Sequence, residues 1–323
     1  MEGRIINVQR DIFCVKNKDK EYMARLAGKM RGEEVPVVGD YVEFVVDDYG
    51  SAGIVELLPR KSVFVRPDRR GHGDGYVKTM KEQSVIANYD YVFIITSLNH
   101  NFNINRIARY VAITTAGGGI PVVILTKADL VEDVTPFVEK VKSITRGVDV
   151  IAVSSYTKEG LSQIKKYFVP GTTIAFLGSS GAGKSTLVNT LANREIMHVS
   201  QIRESDSKGR HTTTHRQLIE LDGVYFIDTP GMRELGMCDV KEAVDNTFED
   251  IADLTGCCKF SDCRHDTEPG CAIKQALLTG ELSEERWHMY CNLQNESAWA
   301  KGLKNEKMVE ISKYRKVLNK RKR

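Results

Sequence analysis

Between Ile5 and Leu58 the apolar residues come in short runs, Ile5–Val8, Ile12–Val15, Tyr22–Leu26, Tyr41–Val46 and Ile54–Leu58, broken by Gly28, Gly32, Pro36, Gly39 and Gly50. Runs of that length, bounded by turn formers, predict strands. Five in succession predict a small closed barrel, of which the OB-fold is the common nucleic-acid-binding form. The Gly- and charge-rich stretch Asp68–Gly75 reads as a mobile loop. From Tyr91 the period changes. Tyr91–Ile95 is a buried strand, and Ile104, Ile107, Ala108, Val111 and Ala112 then recur at helical spacing until Gly117–Gly119 stops them. Val122–Leu125, Val150–Val153 and Ile174–Leu177 are further strands, separated by a helix opening at Thr135-Pro136 and ending near Gly147, and by a second helix over Leu161–Phe168. Strand Gln217–Leu221 turns at Asp222-Gly223 into strand Val224–Ile227. Repeated βα units make a parallel, helix-covered sheet. Ser283 caps a later helix whose first turn holds Glu284 and Glu285.

The length of 323 residues predicts two or three domains. With 46 Lys+Arg against 43 Asp+Glu the net charge is only +3, so charge as a whole names no partner. Its distribution is uneven: from Lys301 to Arg323 ten basic residues face only Glu306 and Glu310, a tail suited to nucleic-acid phosphates. The N-terminus has no apolar signal-peptide core and no apolar run reaches bilayer length, so a soluble, cytoplasmic protein with no membrane partner is expected. Seven cysteines, four of them between Cys257 and Cys271, fit a local metal site better than a disulfide framework.

Gly178-Ser179-Ser180-Gly181-Ala182-Gly183-Lys184-Ser185 matches the phosphate-binding P-loop, following an apolar strand and opening a helix whose Leu187, Val188 and Leu191 share a face. Backbone N–H groups from Ser180 to Ser185, with Ser179 and Thr186 beside them, can converge on phosphate oxygens. Lys184 can neutralise the β and γ groups, and the Ser185 hydroxyl can bind Mg²⁺. Thr126-Lys127-Ala128-Asp129 follows strand Val122–Leu125, where ligands of open α/β sheets collect. Asp129 can accept from guanine's ring N–H and amino group, where adenine offers an acceptor, so GTP is preferred over the ATP of a P-loop ATPase or small-molecule kinase. Ser154-Ser155, after the next strand, can present backbone N–H groups to guanine's carbonyl oxygen. In Asp228-Thr229-Pro230-Gly231, Asp228 can hold Mg²⁺ through water and the Gly231 N–H can sense the γ-phosphate. The polar stretch Ser205–Thr214 reads as a switch loop. Three thiolates and an imidazole between Cys258 and Cys271 supply the four donors of a closed, structural zinc site.

The guanine motifs come before the P-loop, the switch and Asp228–Gly231, a circular permutation of the usual order. Over nearly its whole length the chain resembles the circularly permuted, small-ribosomal-subunit-dependent GTPases of the RsgA (YjeQ) family. The resemblance implies an OB-fold RNA-binding domain over residues 1–65, a permuted α/β GTPase domain over 66–238, and a zinc-binding helical domain with a basic tail over 239–323. It implies GTP hydrolysis to GDP with Mg²⁺, one structural Zn²⁺ held by Cys258, Cys263, His265 and Cys271, and Cys258 rather than its neighbour Cys257 as ligand. It also implies late maturation of the small ribosomal subunit, with rRNA as partner and a monomeric protein. By match to the family's Gly-Arg-His-Thr-Thr switch, Thr213 is the second Mg²⁺ ligand. Met232 stands where many GTPases carry a water-orienting Gln, and a thioether cannot do that work, so His211 is nominated to place the water. Thr126 departs from the family's usual Asn and is expected to remove an amide that contacts the purine and braces the P-loop. The alternative reading is a nucleotide-gated RNA-binding protein whose hydrolysis is vestigial.

Overall fold

The computed structural model describes residues 1–30, 34–67, 82–99, 102–145, 147–179, 181–196, 216–228 and 241–298. Two compact units emerge: Met1–Phe64 with Ser84–Lys142 and Gly147–Glu234, and Val65–Gln83 with Ser143–Arg146 and Leu235–Arg323.

In the first unit, β1 (Glu2–Gln9), β2 (Ile12–Asn17), β3 (Lys20–Leu26), β4 (Tyr41–Val46) and β5 (Ala52–Leu57) stand where the alternating runs place strands. They pair in the order β1-β2-β3-β5-β4, and β4 returns to β1. That closure buries Ile5, Phe13, Val15, Val42, Phe44 and Ile54 on one inward face and leaves no open edge. After β6 (Val63–Pro67) and β7 (Glu82–Ala87), which pair as a two-stranded ribbon, the sheet strands begin. β8 (Tyr91–Ser97), β9 (Ile120–Thr126), β10 (Asp149–Ala152), β11 (Thr173–Gly178), β12 (Gln217–Leu221) and β13 (Val224–Asp228) run in the order β10-β9-β8-β11-β13-β12. All neighbours are parallel except the β12–β13 hairpin. The near-continuous apolar runs follow from covering both faces of a parallel sheet; the rings of Phe93, Phe176 and Phe226 meet across three adjacent strands.

The crossovers include α1 (Ile104–Ala116), α2 (Thr135–Ile144), α3 (Leu161–Ile164) and α4 (Lys184–Ala192). Asn103 caps α1 by accepting the Arg106 amide. The helix expected over Leu161–Phe168 is α-helical only through Ile164 and then tightens to a 3₁₀ turn over Lys165–Tyr167. Tyr167 is thereby buried against Tyr91 and Phe93.

Barrel and sheet join through β1 and β12, at Asn7 and Gln217. Arg4 of β1 is buried at this seam. Its guanidinium donates to the carbonyls of Gly39 and Asn88 and to the Thr173 hydroxyl, and it lies 5.0 Å from the Tyr41 ring and 4.9 Å from the Tyr225 ring. Burial lowers its pKa, opposed by Tyr41, Tyr225, Asp90 and Asp40.

The second unit contains α5 (Lys241–Thr247), α6 (Glu249–Gly256), α7 (Ala272–Thr279) and a helix over residues 284–298. Ser283 caps that last helix, accepting the Arg286 amide at 3.3 Å. Arg286 in turn is held by the Asp250 carboxylate and by the Phe248 ring, 4.7 Å away. No described helix is long and apolar enough to cross a membrane.

Candidate nucleotide site and metal centre

The C-terminal ends of β9, β10, β11 and β13 all open on one side of the parallel sheet, because parallel strands end together. β11 runs into the P-loop. A Cβ on Gly178 would stand 2.5 Å from the Ile95 carbonyl oxygen of the neighbouring strand, so the chain leaves the sheet there only as glycine. Gly183, at φ +88°, turns the chain in the left-handed region directly into α4, and the Gly183 carbonyl accepts the Leu187 amide at 2.8 Å as the helix begins. Ala182 is buried under the loop, and the buried Ser179 hydroxyl has no hydrogen-bond partner among the described residues. An orphaned hydroxyl at the start of a Gly-rich loop that opens a helix fits a phosphate-binding cradle.

Thr126, at the end of β9, is buried, and its hydroxyl donates to the Ala182 carbonyl at 2.5 Å. The expected loss of a brace with Thr at this position is therefore corrected: the shorter side chain still ties the P-loop to the base-reading strand. Lys127 follows with φ 58° and ψ 41°, a left-handed turn that brings Asp129 round to face β10. There the Ser154 hydroxyl donates to the Asp129 carboxylate and accepts the amides of Tyr156 and Thr157, at 3.2 and 3.0 Å. The Ser154 amide is taken by the Glu159 carbonyl at 3.1 Å. That amide is thus engaged within the turn, while no hydrogen bond among the described residues takes up the Ser155 amide.

Lys184, the first residue of α4, forms an ion pair with Asp228 at the end of β13. A cation for phosphate and a carboxylate for a hydrated divalent ion thus share one small volume, with Ser185 next along the helix and Thr186 exposed after it. Ser180, Gly231, His211 and Thr213 lie outside the described residues, as do Met232, the stretch Asp68–Gly75 and the basic tail.

The second unit gathers Cys258, Cys263, His265 and Cys271, whose ligand atoms all lie within 4.8 Å of one another. Cys258 Sγ and Cys271 Sγ each stand 3.5 Å from His265 Nδ1 and 4.0 Å apart. Tetrahedral zinc with sulfur at about 2.3 Å and nitrogen at about 2.0 Å requires edges of roughly 3.5–3.8 Å, so the donor set fits. Cys257 is exposed and outside the cluster. Cys271 also caps α7, its sulfur accepting the Lys274 amide. Burial raises the Cys258 thiol, but the amides of Ala272 and Ile273 at the start of α7, together with hydrogen bonds from the Cys263 and Cys271 thiols, hold its pKa below the usual value. Cys263 is pushed up to about 11 by burial and by its neighbouring thiols. Glu268, which motif spacing does not reveal, accepts the amides of Arg264, Asp266 and Thr267 and shapes the loop between the ligands.

A family model described as RsgA GTPase matches residues 57–238, more than half of the chain, and one described as RsgA N-terminal domain matches residues 2–54. The chain belongs to the RsgA GTPase family. This RsgA-family GTPase is 40% identical over 302 residues to the small ribosomal subunit biogenesis GTPase RsgA 2 of Listeria monocytogenes serotype 4b (strain F2365), covering 92% of this chain and 84% of that one. Its fold is similar to YjeQ from Thermotoga maritima, at TM-score 0.68 and 26% identity over 92% of this chain and 98% of the other. It is also similar to YloQ, described as a circularly permuted GTPase, at TM-score 0.65 and 26% identity over 92% and 94%. The order of motifs along this RsgA-family chain, with β9 and β10 before the P-loop strand β11, is that permutation seen in the sheet.

Proposed function

We propose that this RsgA-family GTPase binds GTP at the C-terminal end of its parallel sheet, hydrolyses it to GDP, and acts in late maturation of the small ribosomal subunit. The observation that carries the reading is the Asp129 carboxylate, oriented by Ser154 at the same sheet edge as a P-loop braced by Thr126. A carboxylate accepts two hydrogen bonds from guanine's edge and none from adenine's ring nitrogen. The amides from Ser179 to Thr186 cradle the phosphates, with Lys184 on the outer groups. Ser185, Thr213 and Asp228 would hold Mg²⁺, which when bound neutralises charge on the phosphate oxygens. The Gly231 amide follows the γ-phosphate, and His211 orients the attacking water and takes up its proton. Cys258, Cys263, His265 and Cys271 would hold one Zn²⁺ that stabilises the helical unit.

The domain division at residues 65 and 238, a monomeric state, a cytoplasmic location, and rRNA contact through barrel and basic tail belong to the same reading. It is supported by the name of the Listeria relative, a small ribosomal subunit biogenesis GTPase, and by the charge of the tail. GTP binding measured in competition with GDP and with ADP tests the base assignment. Hydrolysis by His211→Ala tests the catalytic one. Displacement by GDP alone, with retained binding and loss of at least tenfold in turnover for H211A, is expected; an unchanged rate removes His211 from the water-placing role.

A further inference from the structure

We infer that the Tyr156 ring covers one face of the guanine base, making it an affinity-setting contact of the site proposed above, on which this inference rests. Tyr156 is 88% exposed, whereas Tyr89, Tyr110 and Tyr167 of the same unit are 1%, 4% and 6% exposed. Single exposed apolar residues are ordinary on a protein surface, and Tyr49, 95% exposed on a turn held by Asp47, is one; Tyr156 is set apart because the hydroxyl that holds its turn also holds Asp129. The Tyr156 amide donates to Ser154 Oγ at 3.2 Å, the Thr157 amide to the same oxygen at 3.0 Å, and the turn is closed by the Ser154 amide on the Glu159 carbonyl. That oxygen's own proton goes to Asp129. A ring with no packing of its own is therefore carried on a hydrogen-bonded turn one side chain away from the base-reading carboxylate.

A purine presents a polar edge and two apolar faces. Asp129 reads the edge, and the Lys127 stem, fixed by its left-handed backbone, offers cover from the preceding strand. Of the turn residues Ser154, Ser155, Tyr156, Thr157, Lys158 and Glu159, only Tyr156 brings a flat aromatic surface. Stacking is indifferent to the edge groups, so this contact strengthens binding of the nucleotide that Asp129 has selected.

The test compares GDP and inosine diphosphate binding to the wild-type full chain and to Tyr156→Ala, Tyr156→Phe and Tyr156→Trp. Y156A is expected to weaken both nucleotides roughly tenfold and by equal factors, while Y156F stays within about twofold of wild type. Y156W is expected to bind like wild type, and its fluorescence, read against the two native tryptophans of the unsubstituted chain, is expected to be quenched as GDP is added. Wild-type binding to GDP with Y156A within twofold overturns the stacking contact and leaves the nucleotide reading standing. A loss in Y156F equal to that in Y156A, or a silent Y156W, also overturns it. Failure of the wild type to bind GDP removes the nucleotide reading itself, and the stacking contact with it.

Discussion

Two hydroxyl groups set the geometry at the base-reading edge. Ser154 joins the β10 turn to Asp129, and Thr126 joins the end of β9 to the P-loop. A hydrogen bond to a charged group contributes about 1.5–3 kcal/mol, and replacing Ser154 also leaves the amides of Tyr156 and Thr157 without their acceptor. Ser154→Ala is therefore expected to weaken GDP binding at least tenfold and to lower the melting temperature by a few degrees, as isothermal calorimetry and thermal unfolding would show. The P-loop was legible in the sequence from its spacing, and Asp129 only beside it, since a lone Asp after a strand is as often a turn cap. The hydroxyl of Thr126 was not, because whether a side chain reaches the next strand's loop depends on inter-strand distance, which no local pattern encodes. Arg4 escaped for a related reason: in an alternating strand an arginine reads as a solvent position, and only the seam between barrel and sheet makes it a buried one.

At the scale of elements, β8 and β11 lie so close that a single methyl at Gly178 meets the Ile95 carbonyl. Gly178→Ala is expected to destabilise the fold by about 1–3 kcal/mol, seen as a lowered midpoint in urea, and to impair nucleotide binding because the P-loop leaves the sheet at this residue. The zinc loop makes a separate prediction. Chelation is expected to release one zinc per chain and to change the fluorescence of Trp287, whose ring stands edge-on to His265 at 5.5 Å. In the chelated protein Cys258, with its lowered thiol pKa, keeps its reactive thiolate to lower pH. Its alkylation by iodoacetamide therefore reaches full rate at lower pH than that of Cys263, whose pKa of about 11 leaves it protonated. Equal pH profiles for the two would contradict the role given to the start of α7. Strands and helices with clean periodicity were readable to within a few residues. The ribbon of β6 and β7 was not, because its strands are short and separated by the charged stretch from Asp68. The helix from Leu161 to Phe168 broke early because Tyr167 turns inward to pack on Tyr91 and Phe93.

Across the whole molecule, motif order carries the most information. The strand that leads into Thr126–Asp129 comes before the P-loop strand in the chain yet lies in the same sheet, as a permuted order requires, and the likeness to YloQ agrees. The closed barrel was likewise written in five alternating runs, while its attachment to the sheet rests on one register pair, Asn7 with Gln217, and on Arg4, which leave no periodic trace. With Met232 in place of a water-orienting Gln, intrinsic turnover is expected to be slow and to depend on a partner that orders the switch. The direct measurement is steady-state GTP hydrolysis by the full chain with and without purified small ribosomal subunits, with large subunits as the control. The account predicts a several-fold or greater rise in turnover with small subunits alone; a rate that is the same in their presence and absence would contradict it.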